Sequence, residues 1–126
     1  MNVLVDTSVW VAHFKQRDER LVSLLEAGRV VGHPYVVVEV ACGTPPQRSA
    51  VIKLLAELDR LPMATPQELL ALIEARALGG RGCGFVDLSL LASVLLGEHT
   101  QLWTLNKRLE AVASEWGRCH RPALHS

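Results

Sequence analysis

Short apolar runs alternate along the chain with stretches of helical period. Asn2 to Val5 reads as a short buried strand. A helix over Thr7 to Phe14 follows, with Asp6 or Thr7 as its cap. Asp18 opens a second helix through Ala27 that sets Leu21, Leu24 and Leu25 on one face, and Gly28 ends it. Val30 and Val31 form a second short strand. Pro34 to Cys42 supports two readings: its valines at 36, 37, 38 and 40 favour a strand, whereas Pro34 in a first turn and Gly43 at the end favour a helix. Its place between a strand and a turn predicts the helix.

Pro45-Pro46 breaks the chain, and Val51, Leu54, Leu55 and Leu58 make Gln47 to Leu58 an amphipathic helix. Leu61 to Ala64 reads as a third strand. Thr65-Pro66-Gln67-Glu68 combines an N-cap, a proline in the first turn and a capping-box acid, and starts a helix to Leu78. Gly79 to Gly84 holds four glycines in six residues and is a loop that turns sharply or approaches something closely. An apolar helix over Val86 to Leu96, a strand over Gln101 to Leu105 and a helix from an Asn106 cap to Trp116 complete the pattern; the tail from Gly117 has no period. Alternating strands and helices of this kind predict an α/β fold, a short parallel sheet covered by helices on both faces. In such sheets chemistry lies beyond the carboxyl ends of the strands.

The 126 residues suit a single domain spanning the chain, and no repeat or linker divides it. With 49% hydrophobic and 21% charged residues the chain is neither disordered nor a coiled coil. Cys42, Cys83 and Cys119 are odd in number, widely spaced and free of any CxxC, which points to a reducing compartment. The N-terminus lacks a basic leader, and the longest apolar stretch, Leu88 to Leu96, is half the length of a membrane span. The expectation is a cytoplasmic protein with no membrane contact.

Thirteen basic and thirteen acidic residues balance, so no general basic coat exists. Ten of the acids fall on polar helix faces or caps. Asp6, Glu39 and Asp87 instead interrupt apolar segments that read as core. A buried carboxylate without a partner costs several kcal/mol or becomes protonated. Two of them at about 4 Å repel by roughly 4 kcal/mol at an effective dielectric near 20. Placement leaves two readings open: three separate acids serving as caps or hydrogen-bonded groups, or a converging trio that needs a cation. Oxygen-only ligands would favour Mg²⁺ or Mn²⁺ over zinc. His13, His33 and His99 lack metal spacing, and neither a P-loop nor a G-x-S-x-G is present.

Val3-Leu4-Val5-Asp6-Thr7-Ser8-Val9-Trp10 resembles the opening of the PIN-domain family. Glu39 before Ala41-Cys42-Gly43 resembles its second acid position, Gly82 to Ser93 around Asp87 its third, and Leu102 to Leu109 its closing strand and helix start. These matches keep family order over nearly the whole chain, and at this length the chain is similar to VapC-type toxins of bacterial toxin–antitoxin pairs. The resemblance implies a three-layer α/β/α fold and a Mg²⁺- or Mn²⁺-dependent endoribonuclease with Asp6, Glu39 and Asp87 as metal-binding acids. It also implies cleavage to 5′-phosphate and 3′-hydroxyl ends. The family's usual fourth acid is replaced by Asn106, whose carbonyl can contribute an oxygen but no charge. Thr7, Ser8 and Thr104 are candidates to orient the acids or the water, or simply to cap.

With the three acids set aside, a surplus of three positive charges remains. Arg81 in the glycine loop and Lys107 and Arg108 on the last helix are candidate RNA-backbone contacts, with Arg118, His120, Arg121 and His125 beyond them. Val9, Trp10 and Phe14 are expected to expose apolar surface for a homodimer or an antitoxin. A catalytically weakened PIN-like module that binds RNA or protein is the competing reading, favoured by Asn106. A receiver-type phosphoacceptor would need a paired acidic start and a lysine after the last strand, and neither is evident.

Overall fold

The structure is a computed structural model that describes residues 1–122. Three parallel strands, β1 (Asn2–Val5), β2 (Val30–Val31) and β3 (Thr100–Trp103), lie in the order β2-β1-β3. Among the described residues seven helices join and cover them, giving a three-layer α/β/α fold: α1 (Thr7–Lys15), α2 (Glu19–Glu26), α3 (Pro34–Cys42), α4 (Arg48–Glu57), α5 (Pro66–Ala75), α6 (Phe85–Leu96) and α7 (Lys107–Glu115). Val3, Leu4 and Val5 are all buried, which explains why the central strand carries consecutive apolar residues instead of alternating ones. Helix α6 is buried from Leu88 through Val94, consistent with an apolar character on every face.

Register decides what stands at the end of the sheet. Val5 pairs with Trp103, and the Asp6 amide continues the ladder to the Trp103 carbonyl at 2.9 Å. Asp6 and Thr104 therefore leave neighbouring strands side by side at the carboxyl ends.

The Pro34 to Cys42 segment is a helix, started by a residue the sequence pattern passed over. His33 is 1% exposed, and its Nδ1 accepts the Tyr35 amide at 3.1 Å, capping α3. That bond leaves the ring proton on Nε2, which faces Ser93 Oγ on α6 at 3.1 Å. Asp6 occupies the cap position of α1, but its side chain makes no cap hydrogen bond.

Three expectations need correction. Leu61 to Ala64 is not a strand: pairing with the sheet stops just before it, at the Gly32–Arg60 bridge, and Pro62 has no amide to continue a ladder. The tail is not wholly irregular. After a turn at Gly117 (φ +67°) the Leu102 amide donates to Arg118 O (2.7 Å) and the His120 amide to Leu102 O (2.8 Å), extending the sheet beside β3. Val9 and Trp10 are buried, so the apolar surface of the first helices is instead Val11 and the half-buried Phe14, which shares a groove with Pro46, Val51 and Leu54 of α4 and its approach. Among the described residues no helix is long and apolar enough to cross a membrane.

His33 gives the fold a pH dependence. Burial lowers its pKa from the usual 6.5 to about 4. Between those values the unfolded chain binds a proton that the folded chain refuses, so stability falls as pH drops from 6.5 towards 4. The loss approaches about 3 kcal/mol at the acid end. Urea unfolding of His33→Gln should show a shallower decline across that window than the wild-type chain; parallel declines would contradict the assignment.

Candidate active site

Asp6 is 6% exposed, and two hydroxyls hold one of its oxygens. Ser8 Oγ donates to Asp6 Oδ2 at 2.7 Å, and Thr104 Oγ1 donates to the same atom at 2.8 Å. Each hydroxyl in turn accepts a backbone amide: Leu105 N on Ser8 Oγ (3.0 Å) and Asn106 N on Thr104 Oγ1 (3.0 Å). With their acceptor sides engaged by amides, both O–H groups are directed at the carboxylate and fix its orientation. Asp6 Oδ1 has no protein partner among the described residues, and no buried side-chain oxygen is left unpaired, so this atom reaches solvent.

Asp87 lies in the first turn of α6, half-buried, with Oδ2 accepting the Gly84 amide at 3.1 Å. Its pKa is raised, chiefly by desolvation, and the negative charge of Asp6 raises it further against the opposing pull of the Gly84 amide. The two carboxylates thus share one electrostatic environment although 81 positions separate them in sequence.

Glu39 is placed differently. It is exposed on α3, beside an exposed Val38, because the valine-rich segment is a helix that buries Val36 and Val40, with Val37 partly buried, and turns this part of its surface to solvent. Reading it as an acid inside buried chain is therefore corrected. Its link to the site runs through Thr7, whose Oγ1 donates to Glu39 Oε1 at 2.7 Å. Glu39 also lines a groove of about 530 Å³ between α1, α3 and the Gly43–Pro46 turn, with Lys15 on the same wall. Among the described residues no three His, Cys, Asp or Glu side chains form a ready-made metal-binding group. The arrangement is an Asp6–Asp87 pair with Glu39 tethered beside it.

Asn106 caps α7, its Oδ1 accepting the amides of Arg108 (3.0 Å) and Leu109 (3.3 Å). The carbonyl oxygen that could have joined the acids is thus engaged.

The candidate RNA contacts divide. Arg81 pairs with Glu115 at 2.7 Å, and Arg121 pairs with Glu110. Arg118 turns inward to the carbonyls of Val94, Gly97 and Thr100, at the carboxyl end of α6 where the helix dipole favours a cation. The His120 ring sits against Trp103, and His125 lies outside the described residues. Lys107 and Arg108 are exposed and make no ion pair among the described residues. Arg108 lies across Gly82: a Cβ there would come within 2.5 Å of its Cδ, and Gly82 has φ +83°. The glycine loop supplies the close approach that its composition predicted. Its other role is the Gly84 amide that holds Asp87.

The PIN domain family model matches residues 3–115. The chain is 47% identical over 115 residues to Ribonuclease VapC32 of Mycobacterium tuberculosis, in both strain CDC 1551 / Oshkosh and strain ATCC 25618 / H37Rv. The match covers 91% of this chain and 93% of each relative. The parallel sheet, the acid pair at its carboxyl end and these matches along almost the whole sequence lead to one conclusion: the chain belongs to the PIN domain family.

Proposed function

We propose that this protein is a Mg²⁺- or Mn²⁺-dependent endoribonuclease and the toxin of a type II toxin–antitoxin pair, a single domain that works as a homodimer and is restrained by an antitoxin protein. The observation that carries the reading is the buried Asp6 carboxylate, fixed by two hydroxyls and coupled to Asp87 at the end of the sheet. The similarity to ribonucleases supports the substrate class.

The donor set fits a hard dication. Every candidate ligand is an oxygen, Asp6 keeps Oδ1 towards solvent, and the repulsion between Asp6 and Asp87 is what a positive charge would relieve. Asp6 and Asp87 would hold the ion, with Glu39, whose Oε1 accepts from Thr7, as the third carboxylate. Bound there, the ion would supply an acidified water as nucleophile and positive charge against the scissile phosphate. The protein's own groups do the rest. Ser8 and Thr104 keep the Asp6 carboxylate oriented. Gly84 holds Asp87 against the start of α6. Lys107 and Arg108 attract the phosphates flanking the cut. No side-chain nucleophile is needed; Ser89 Oγ is spent on the Phe85 carbonyl one turn back.

A catalytically weakened module remains the second reading, favoured by the engaged Asn106 oxygen and the missing third carboxylate in the immediate cluster. Divalent-metal titration with an RNA cleavage assay separates the two.

Asp6→Ala and Asp87→Asn should each abolish metal-dependent cleavage while far-UV circular dichroism stays native; full activity in either would remove the site assignment. Thr104→Val removes one donor to Asp6, a charge-assisted bond of about 1.5–3 kcal/mol. Metal-dependent cleavage by this variant should fall roughly tenfold to a hundredfold in kcat/KM, the rate equivalent of that bond, while far-UV circular dichroism stays native; an unchanged kcat/KM would make the Thr104 bond dispensable. Arg108→Ala should raise KM for single-stranded RNA and lessen the slope of log KM against log salt by about 0.7. An unchanged slope would place Arg108 off the RNA path.

A further inference from the structure

Two aromatic rings stand on the helices that carry the acids, and neither is fully buried. Tyr35 lies four residues before Glu39 on α3, so the two share a helix face. Phe85 opens α6 two residues before Asp87 and is 58% exposed. The rings meet with centroids 5.4 Å apart at an interplanar angle of 45°. Behind Tyr35 sits the His33 ring, 5.2 Å away, buried and pinned by Ser93 and by the cap of α3. The three rings form a row from the core to the surface that ends on Phe85, in the same first turn of α6 as Asp87. A ring held from behind presents its outer face in a set orientation, which lowers the entropy cost of receiving a planar partner.

The surrounding charge says what that partner is. Carboxylates repel RNA phosphates, the chain has no net positive charge, and of the predicted basic contacts Arg81 and Arg121 are held in ion pairs and Arg118 turns inward to backbone carbonyls. Stacking on an aromatic face adds an attraction that does not depend on charge. Bases in a duplex are already stacked and hidden, so the strand must be single.

We propose that Phe85, backed by Tyr35, is a stacking platform for one nucleobase of single-stranded RNA, seating the nucleotide beside the phosphate to be cut. This rests on the ribonuclease reading and deepens it.

The test separates the two. An inactive Asp6→Asn protein is titrated with short single-stranded oligoribonucleotides carrying 2-aminopurine at each position in turn. Quenching should be strongest at one position and disappear when Phe85→Leu is added, since leucine keeps apolar bulk but has no π face. Phe85→Trp should restore it. In cleavage assays with the Asp6 carboxylate intact, Phe85→Leu should raise KM about tenfold. An abasic nucleotide at the quenched position should do the same to the wild-type protein, and the two changes together should cost no more than either alone. Equal KM for wild type, Phe85→Leu and Phe85→Trp would overturn the platform and leave the ribonuclease reading standing; that result would direct the rings to a protein partner. Position-specific quenching by a chain that cuts no RNA would keep the platform and overturn the nuclease. Neither binding nor cleavage would overturn both.

Discussion

A carboxylate removed from water must be given something in return, and the arrangement around Asp6 shows how this fold does so. Two hydroxyls from opposite ends of the chain donate to one oxygen, and each is aimed by a backbone amide on its other side. The ladder between β1 and β3 makes that possible by ending with Asp6 abreast of Thr104. If β3 slipped by one residue, Thr104 would point to the other face and the carboxylate would lose a donor it cannot spare. Sheet register and site chemistry are thus one constraint.

The rest of the molecule supports that point from two sides. Helix α6 is apolar all round because it lies inside the domain, and its first turn brings Asp87 close enough to feel Asp6. Helix α3 is anchored by His33, a buried neutral imidazole that caps it and reaches Ser93 on α6. The same histidine sits behind Tyr35, so one buried ring steadies the helix of Glu39 and the aromatic row that ends at Phe85. Arg118, which the tail's composition assigned to RNA, holds the last carbonyls of α6 and ties the tail to the sheet edge.

Much of this was legible in the sequence. Periodicity, Pro34 and the Thr65 capping box gave the helices within a residue or two at most ends, and the apolar runs gave all three strands. Asp6 and Asp87 stood out as charges in apolar chain. Glu39 stood out for a reason that failed: in a helix with valines on several faces, an acid among them can point straight to water, and it does. The Leu61–Ala64 strand failed because apolar composition carries no information about whether an edge offers partners, and Pro62 withholds one.

Local sequence therefore determined which segments are helix or strand, where they start, and which acids are unusual, because capping, period and desolvation act over a few residues. Which groups meet was decided only in three dimensions. The bond from Thr104 to Asp6 spans 98 positions, and the one from Thr7 to Glu39 spans 32. Whether a hydroxyl caps a helix or holds a carboxylate, and whether an arginine faces solvent or the end of a helix, depends on distances that no local pattern encodes. Hydrogen bonds fall away within a few ångströms and charge interactions weaken steadily with distance, so only the packed sheet, by setting those distances, could assign each residue its partner.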